Sequence, residues 1–259
     1  MSKIQVETRG PVRMITIARP EARNAIDAET AAALHQAFLD FDRDDGLAVA
    51  VLTGAGKSFC AGADLKALAT GGGVTIHPPG QPGPLGPTRL RLGKPVIAAV
   101  EGYAVAGGLE LALWCDLRVA ATTATFGVFC RRFGVPLVDG GTVRLPRLIG
   151  ESRAMDLILT GRAVGADEAL AIGLANRVVG EGDALRAALQ LAREIAAFPQ
   201  QCLRNDRLSA RRQHGAPTLR DALAQEFALG RATLASGEAE GGARRFVGGA
   251  GKHGRFESR

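Results

Sequence analysis

Two glycine-rich turns carry the residue types that could hold negative charge on an oxygen and move a proton beside it. In VEGYAVAGGLE (100–110), Gly102 and Gly107-Gly108 lead straight into the apolar run LELALWC, and Glu110 falls within the first turn of that run. Glycines at a strand-to-helix switch let backbone approach a ligand closely, and a helix start directs unpaired N–H groups and a positive dipole end at it. Amide donors plus a carboxylate within one turn suit oxyanion stabilisation coupled to proton transfer. In GAGKSFCAGADLKAL (54–68), Ala61-Gly62-Ala63 again stands at a helix start, with Asp64 as a first-turn acid. The two turns lie 45 positions apart and could each give one N–H to a single oxyanion. A turn that merely packs, with Glu110 in solvent, fits the same residues. Asp139 before Gly140-Gly141 fits a second acid and equally a cap or turn former. His77 could exchange protons or sit solvated in its loop; His35 reads as a boundary residue.

The elements that must position these groups alternate in type. Ile4–Thr8 and Val12–Ala18 read as two strands joined across Arg9-Gly10-Pro11. Asp27 reads as the N-cap of a helix with Ala31, Leu34, Phe38 and Phe41 on one face. Ala48–Thr53 and Val96–Val100 are nearly all apolar, as strands buried on both faces are. Residues 71–87, GGGVTIHPPGQPGPLGP, hold too much Gly and Pro for a helix or inner strand, and their length suggests a loop or lid over a site. Cys115–Ala120 and Ala175–Val179 read as strands, Ala124–Gly127 as a strand or turn, and Thr142 as a helix start. Helical patterns run from Ser152 and near Asp167–Ile172, and fill the chain from about Asp183. Leu219, Leu223, Phe227 and Leu234 mark one apolar face there, and the basic tail is expected at the periphery. The order is β and α units first and helices last, an α/β fold.

Composition narrows the class. The 259 residues, 46% hydrophobic and 22% charged with 34 glycines, suit an α/β enzyme with a substantial core. No run of ~18 apolar residues predicts a membrane span, and the N-terminus lacks a secretion pattern, so a cytoplasmic location is expected. Cys60, Cys115, Cys130 and Cys202 are scattered without metal-type spacing, as expected of free thiols in a reducing compartment. The formal charge of +6 admits an anionic partner, but the basic residues are dispersed and there is one Trp and one Tyr. That favours a phosphorylated small ligand over nucleic acid.

The turns and their surroundings together resemble the crotonase superfamily, also called the enoyl-CoA hydratase/isomerase family. The matching pieces are RPEARNAID, GAGKSFCAGADL, KPVIAAVEGYAVAGGLELALWCD, ATFG…FGVP…GGTVRLPRLIG, LTG…A…GL.NRVV and EGGARRF…GRF, in family order over almost the whole chain. The resemblance implies a spiral of ββα units (residues 1–195) that holds an acyl-CoA site, followed by a helical trimerisation region (196–259), in a homotrimer or a dimer of trimers. It implies an oxyanion hole from the N–H groups of Ala63 and Gly107. Backbone around Arg23 to Ala25 and around Ala61, Gly62, Asp64 and Leu65 would hold coenzyme A, with the acyl group near Val105, Ala106 and Glu110. Coenzyme A arrives as part of the substrate, and neither a metal nor another cofactor is implied. Family hydratases place a glutamate where FGVFC puts Cys130, and a neutral thiol positions water poorly. Asp139 is the candidate replacement, which makes isomerisation by Glu110 and Asp139 a rival to hydration. A non-catalytic acyl-CoA binder is the remaining alternative.

Overall fold

The computed structural model describes residues 2–251, so the closing GRF (254–256) lies outside the described residues. Strands β1 (Ile4–Arg9) and β2 (Val12–Ile17) form a hairpin and are followed by α1 (Ala28–Arg43). Asp27 caps α1 by accepting from Thr30 N–H, and Leu34, Phe38 and Phe41 on its inner face are fully buried. Each such side chain contributes roughly 1.5–3 kcal/mol on burial. Next come β3 (Val49–Gly54) and the short α2 (Leu65–Ala69), then β4 (Val96–Val100), β5 (Tyr103–Val105) and α3 (Gly107–Trp114). The fourth unit is β6 (Leu117–Ala121), β7 (Thr125–Gly127), α4 (Gly141–Ile149) and α5 (Glu151–Thr160). Then β8 (Val164–Gly165), α6 (Ala166–Ala171) and β9 (Arg177–Val179) complete the sheets. Four helices end the described chain: α7 (Ala184–Ala196), α8 (Gln200–Arg212), α9 (Leu219–Ala235) and α10 (Glu238–Val247).

The strands divide between two sheets, ordered β1-β2-β3-β4-β6-β9 and β5-β7-β8. The first hairpin lies wholly in the large sheet, and the third and fourth units each place one strand in each sheet. In the second unit the residues after β3 do this with single bridges, Cys60 to Ala104 and Ala63 to Ile26. From β2 to β9 the large sheet is parallel, and its strands are apolar because both faces are covered. Along β3 the alternation is explicit. Ala50 and Leu52 pack toward the small sheet and α1, while Val49 and Val51 pack under Leu189, Leu191 and Ala192 of α7.

This arrangement brings the parallel strand ends together, and the two glycine turns project from them. Residues 71–86 carry no helix or strand apart from a Gly83–Gly86 bridge, in agreement with their composition.

Candidate active site

The two glycine turns meet. A Cβ added at Gly62 would lie 2.7 Å from Gly107 N, and one at Gly108 would lie 2.0 Å from Cys60 O. Val105 N–H donates to Cys60 O at 3.1 Å and Cys60 N–H to Tyr103 O at 2.9 Å, so strand pairing sews the turns together. Ala106, between them, has φ 53° and ψ −125°. Among the described residues only Arg23, Asn24 and Ala106 are non-glycines at positive φ. Each such residue costs about 1–3 kcal/mol, and such strain concentrates at functional sites. Arg23 and Asn24 adjoin the same place, since Arg23 O accepts from Ala61 N–H at 3.1 Å.

That pairing has a chemical consequence. Ile26 N–H donates to Gly62 O and Asp64 N–H donates to Ile26 O, both at 2.8 Å, so the intervening Ala63 N–H is left over. Gly107 opens α3 and its N–H is likewise an orphan of the helix start. Among the described residues neither N–H has a protein acceptor. Both residues line a cavity of about 140 Å³, together with Ala61, Asp64, Leu65, Ala106, Glu110, Phe129, Cys130 and Asp139. Its other walls are apolar, from Leu68, Val74, Ile76, Leu85, Phe133, Val135 and Val138.

Glu110 is 2% exposed. Its Oε1 accepts from Asp139 N–H at 2.9 Å and Gly141 N–H at 2.7 Å, while Oε2 has no partner among the described residues. Burial is the main cause that lifts its carboxyl from 4.5 to about 7; the amides oppose this and the charge of Asp139 adds to it. A carboxyl poised there accepts or donates a proton near neutrality. Gly141 permits this approach, because a Cβ would lie 2.9 Å from Glu110 Oε1.

Asp139 is also buried, and its side chain does not cap α4. Its Oδ1 accepts from Leu85 N–H at 3.1 Å and from the Thr88 hydroxyl. Burial raises its pKa against those two hydrogen bonds. Cys130 sits in a 3-10 turn, Phe129–Phe133, with its thiol pushed up by burial and by the Glu110 charge, and so held protonated. Arg131 and Arg132 turn to Ile158 O and Gly161 O, as flanking structure.

Other sequence candidates have structural roles or stand apart from the cavity. Asp64 is the N-cap of α2, one position before its first turn, and pairs with Arg19 at 2.9 Å, so its carboxylate serves structure even though the residue lines the cavity. Val105 is buried in β5, and Arg23 and Ala25 lie in the neighbouring turn outside the lining. His77 and His35 line a separate hollow with Thr75 and Gly86. Sequence reading missed Thr88, Leu85 and Arg144. The Gly140-Gly141 pair was the one available signal for the close approach to Glu110.

Similarity to known proteins gives the family. Residues 7–252 match the enoyl-CoA hydratase/isomerase family. The chain is 39% identical over 202 residues to enoyl-CoA hydratase EchA19 of Mycobacterium tuberculosis, covering 74% of each. It is 44% identical over 197 residues to a carnitinyl-CoA dehydratase of Salmonella arizonae, again covering 74% of each. The crystal structure of enoyl-CoA hydratase EchA1 from Mycobacterium marinum superposes with a TM-score of 0.88 at 41% identity, covering 95% of both chains. With the fold, the paired turns and these matches in hand, the chain belongs to the enoyl-CoA hydratase/isomerase family (the crotonase superfamily) and is an acyl-CoA enzyme of that type.

Proposed function

We propose that the protein interconverts 2-enoyl-CoA and 3-hydroxyacyl-CoA, with Glu110 and Asp139 as its two acid-base groups. The observation that carries this reading is Glu110 beside two unused amides. Its Oε1 is fixed by two N–H groups, and its Oε2 is the oxygen left to act. In the dehydration direction the thioester carbonyl sits on Ala63 N–H and Gly107 N–H, and Glu110 takes the Cα proton. The electron pair forms the Cα–Cβ double bond as the β-hydroxyl leaves, protonated by Asp139, as water. Hydration is the reverse. A single donor of this kind lowers the barrier by about 3–4 kcal/mol. All these groups are protein groups, so the scheme draws on no cofactor beyond the coenzyme A of the substrate. Backbone of residues 23–25 and 61–65 forms the coenzyme A side, and residues 196–259 the assembly surface of a trimer or a dimer of trimers. The free cysteines suit a reducing cytoplasm. Among the described residues no helix is long and apolar enough to cross a membrane.

The thiol of Cys130 favours a second reading, double-bond isomerisation, which needs a shuttled proton and no activated water. Product analysis with a panel of 2-enoyl-, 3-enoyl- and 3-hydroxyacyl-CoAs separates the two. Water addition at Cβ supports the first, a shifted double bond the second, and binding without turnover defeats both. Cys130→Glu should raise hydration if the missing carboxylate limits it.

A further inference from the structure

Thr88 lies 51 positions from Asp139 in sequence, fully buried in a one-turn helix, Pro87–Arg89, at the end of the Gly/Pro-rich loop. Its hydroxyl donates to Asp139 Oδ1, which also accepts from Leu85 N–H. Asp139 Oδ2 has no partner among the described residues, and Asp139 lines the cavity. The backbone is held from the other side. Arg144 donates from Nη1 to Asp139 O at 2.7 Å and from Nη2 to Thr88 O at 2.6 Å. A Cβ at Gly83 would lie 2.0 Å from Thr88 Oγ1, so the loop reaches this contact only with glycine there. Asp139 N–H in turn fixes Glu110 Oε1. One clamp therefore sets the orientation of one carboxyl and the backbone that anchors the other.

We propose that Thr88 is a positioning residue of the reaction, which aims Asp139 by tying Oδ1 and presenting Oδ2 to the substrate. This rests on the assignment of Asp139 as the second acid-base group. A residue that only glues a loop would change stability when altered and leave the chemistry of the folded enzyme alone. A residue that aims an acid changes kcat more than KM, because misplacing a reacting group by an ångström costs up to ~10²-fold in rate.

The test compares Thr88→Val, Thr88→Ser and Asp139→Asn for kcat, KM and the pH dependence of kcat on a turned-over acyl-CoA. Thr88→Val should lower kcat by about 10- to 100-fold with little change in KM, and Thr88→Ser should restore it. The Thr88 hydrogen bond holds the Asp139 pKa down, so its loss should move the corresponding limb to higher pH. The charged groups around Asp139 are Glu110, Arg89 and Arg144, all unchanged in these variants. Should Thr88→Val not fold, Thr88→Cys, a weaker donor, should show the same fall and shift in smaller measure. If Thr88→Val matches wild type while Asp139→Asn is impaired, the positioning role is overturned and the role of Asp139 stands. If neither variant loses kcat, the assignment of Asp139 fails and takes this inference with it.

Discussion

Glu110 works against the stability of its own fold. A carboxyl whose folded pKa lies above its unfolded value binds its proton more tightly when folded. Stability is therefore full below the unfolded pKa of 4.5 and falls as pH rises through about 7. The shift corresponds to about 3–4 kcal/mol at most, since each pKa unit is worth ~1.4 kcal/mol. Glu110→Gln keeps an oxygen for Asp139 N–H and Gly141 N–H and removes the charge. We expect it to unfold at higher denaturant than wild type at pH 8.5, and at about the same denaturant at pH 4.5. Equal midpoints at pH 8.5 would show that the carboxylate is well solvated. Asp139 and Cys130 show what residue type alone conveys. A thiol in place of the family's second glutamate was legible at FGVFC through the resemblance, but an aspartate before two glycines has the sequence pattern of a turn former. Its actual partners, Leu85 and Thr88, come from a loop over fifty positions earlier. No local pattern encodes such a contact.

Elements were legible where periodicity or turn chemistry is strong. The apolar strands and the Asp27 cap follow from burial on both faces and side-chain capping, and the structure places them as expected, while α3 takes in the two glycines and opens at Gly107 ahead of the run LELALWC. Strand ends were less legible, as with β6, which opens at Leu117 because Asp116 holds Val96 N–H instead. That the turns of the second and third units would touch depends on strand order, which periodicity does not give. Contact between them is tight enough to test. Gly108→Ala puts a methyl 2.0 Å from Cys60 O, so the start of α3 must move away from residues 61–63. Overpacking of this kind costs about 1–3 kcal/mol. Turnover should fall by at least ~10-fold in protein that remains folded, by separating the two amides. Wild-type turnover with lowered stability would mean that the amides do not act as a pair.

At the scale of the whole molecule, α9 leaves an apolar face exposed among the described residues. Leu219, Leu223, Phe227 and Leu234 are 76%, 53%, 67% and 68% exposed, on a helix held to α8 by Asn205 and Thr233. Monomeric proteins rarely leave such an apolar face in water. We expect sedimentation to give three or six times the 26.9 kDa chain mass, and the double change Leu223→Asp with Phe227→Asp to lower it. A single-chain mass at micromolar concentration would contradict assembly through this face. The amphipathic pattern was readable in sequence; that the face stays exposed among the described residues was not, because that depends on where the helix lies.

The central claim is that Glu110 removes the Cα proton of a thioester held by Ala63 N–H and Gly107 N–H. Exchange of the Cα protons of a saturated acyl-CoA with deuterated solvent measures that step alone, without hydration or product release. Wild-type protein should catalyse exchange with a rate that rises through pH 7, and Glu110→Gln should slow it by ~10²-fold or more. Equal exchange by the two proteins would contradict the account.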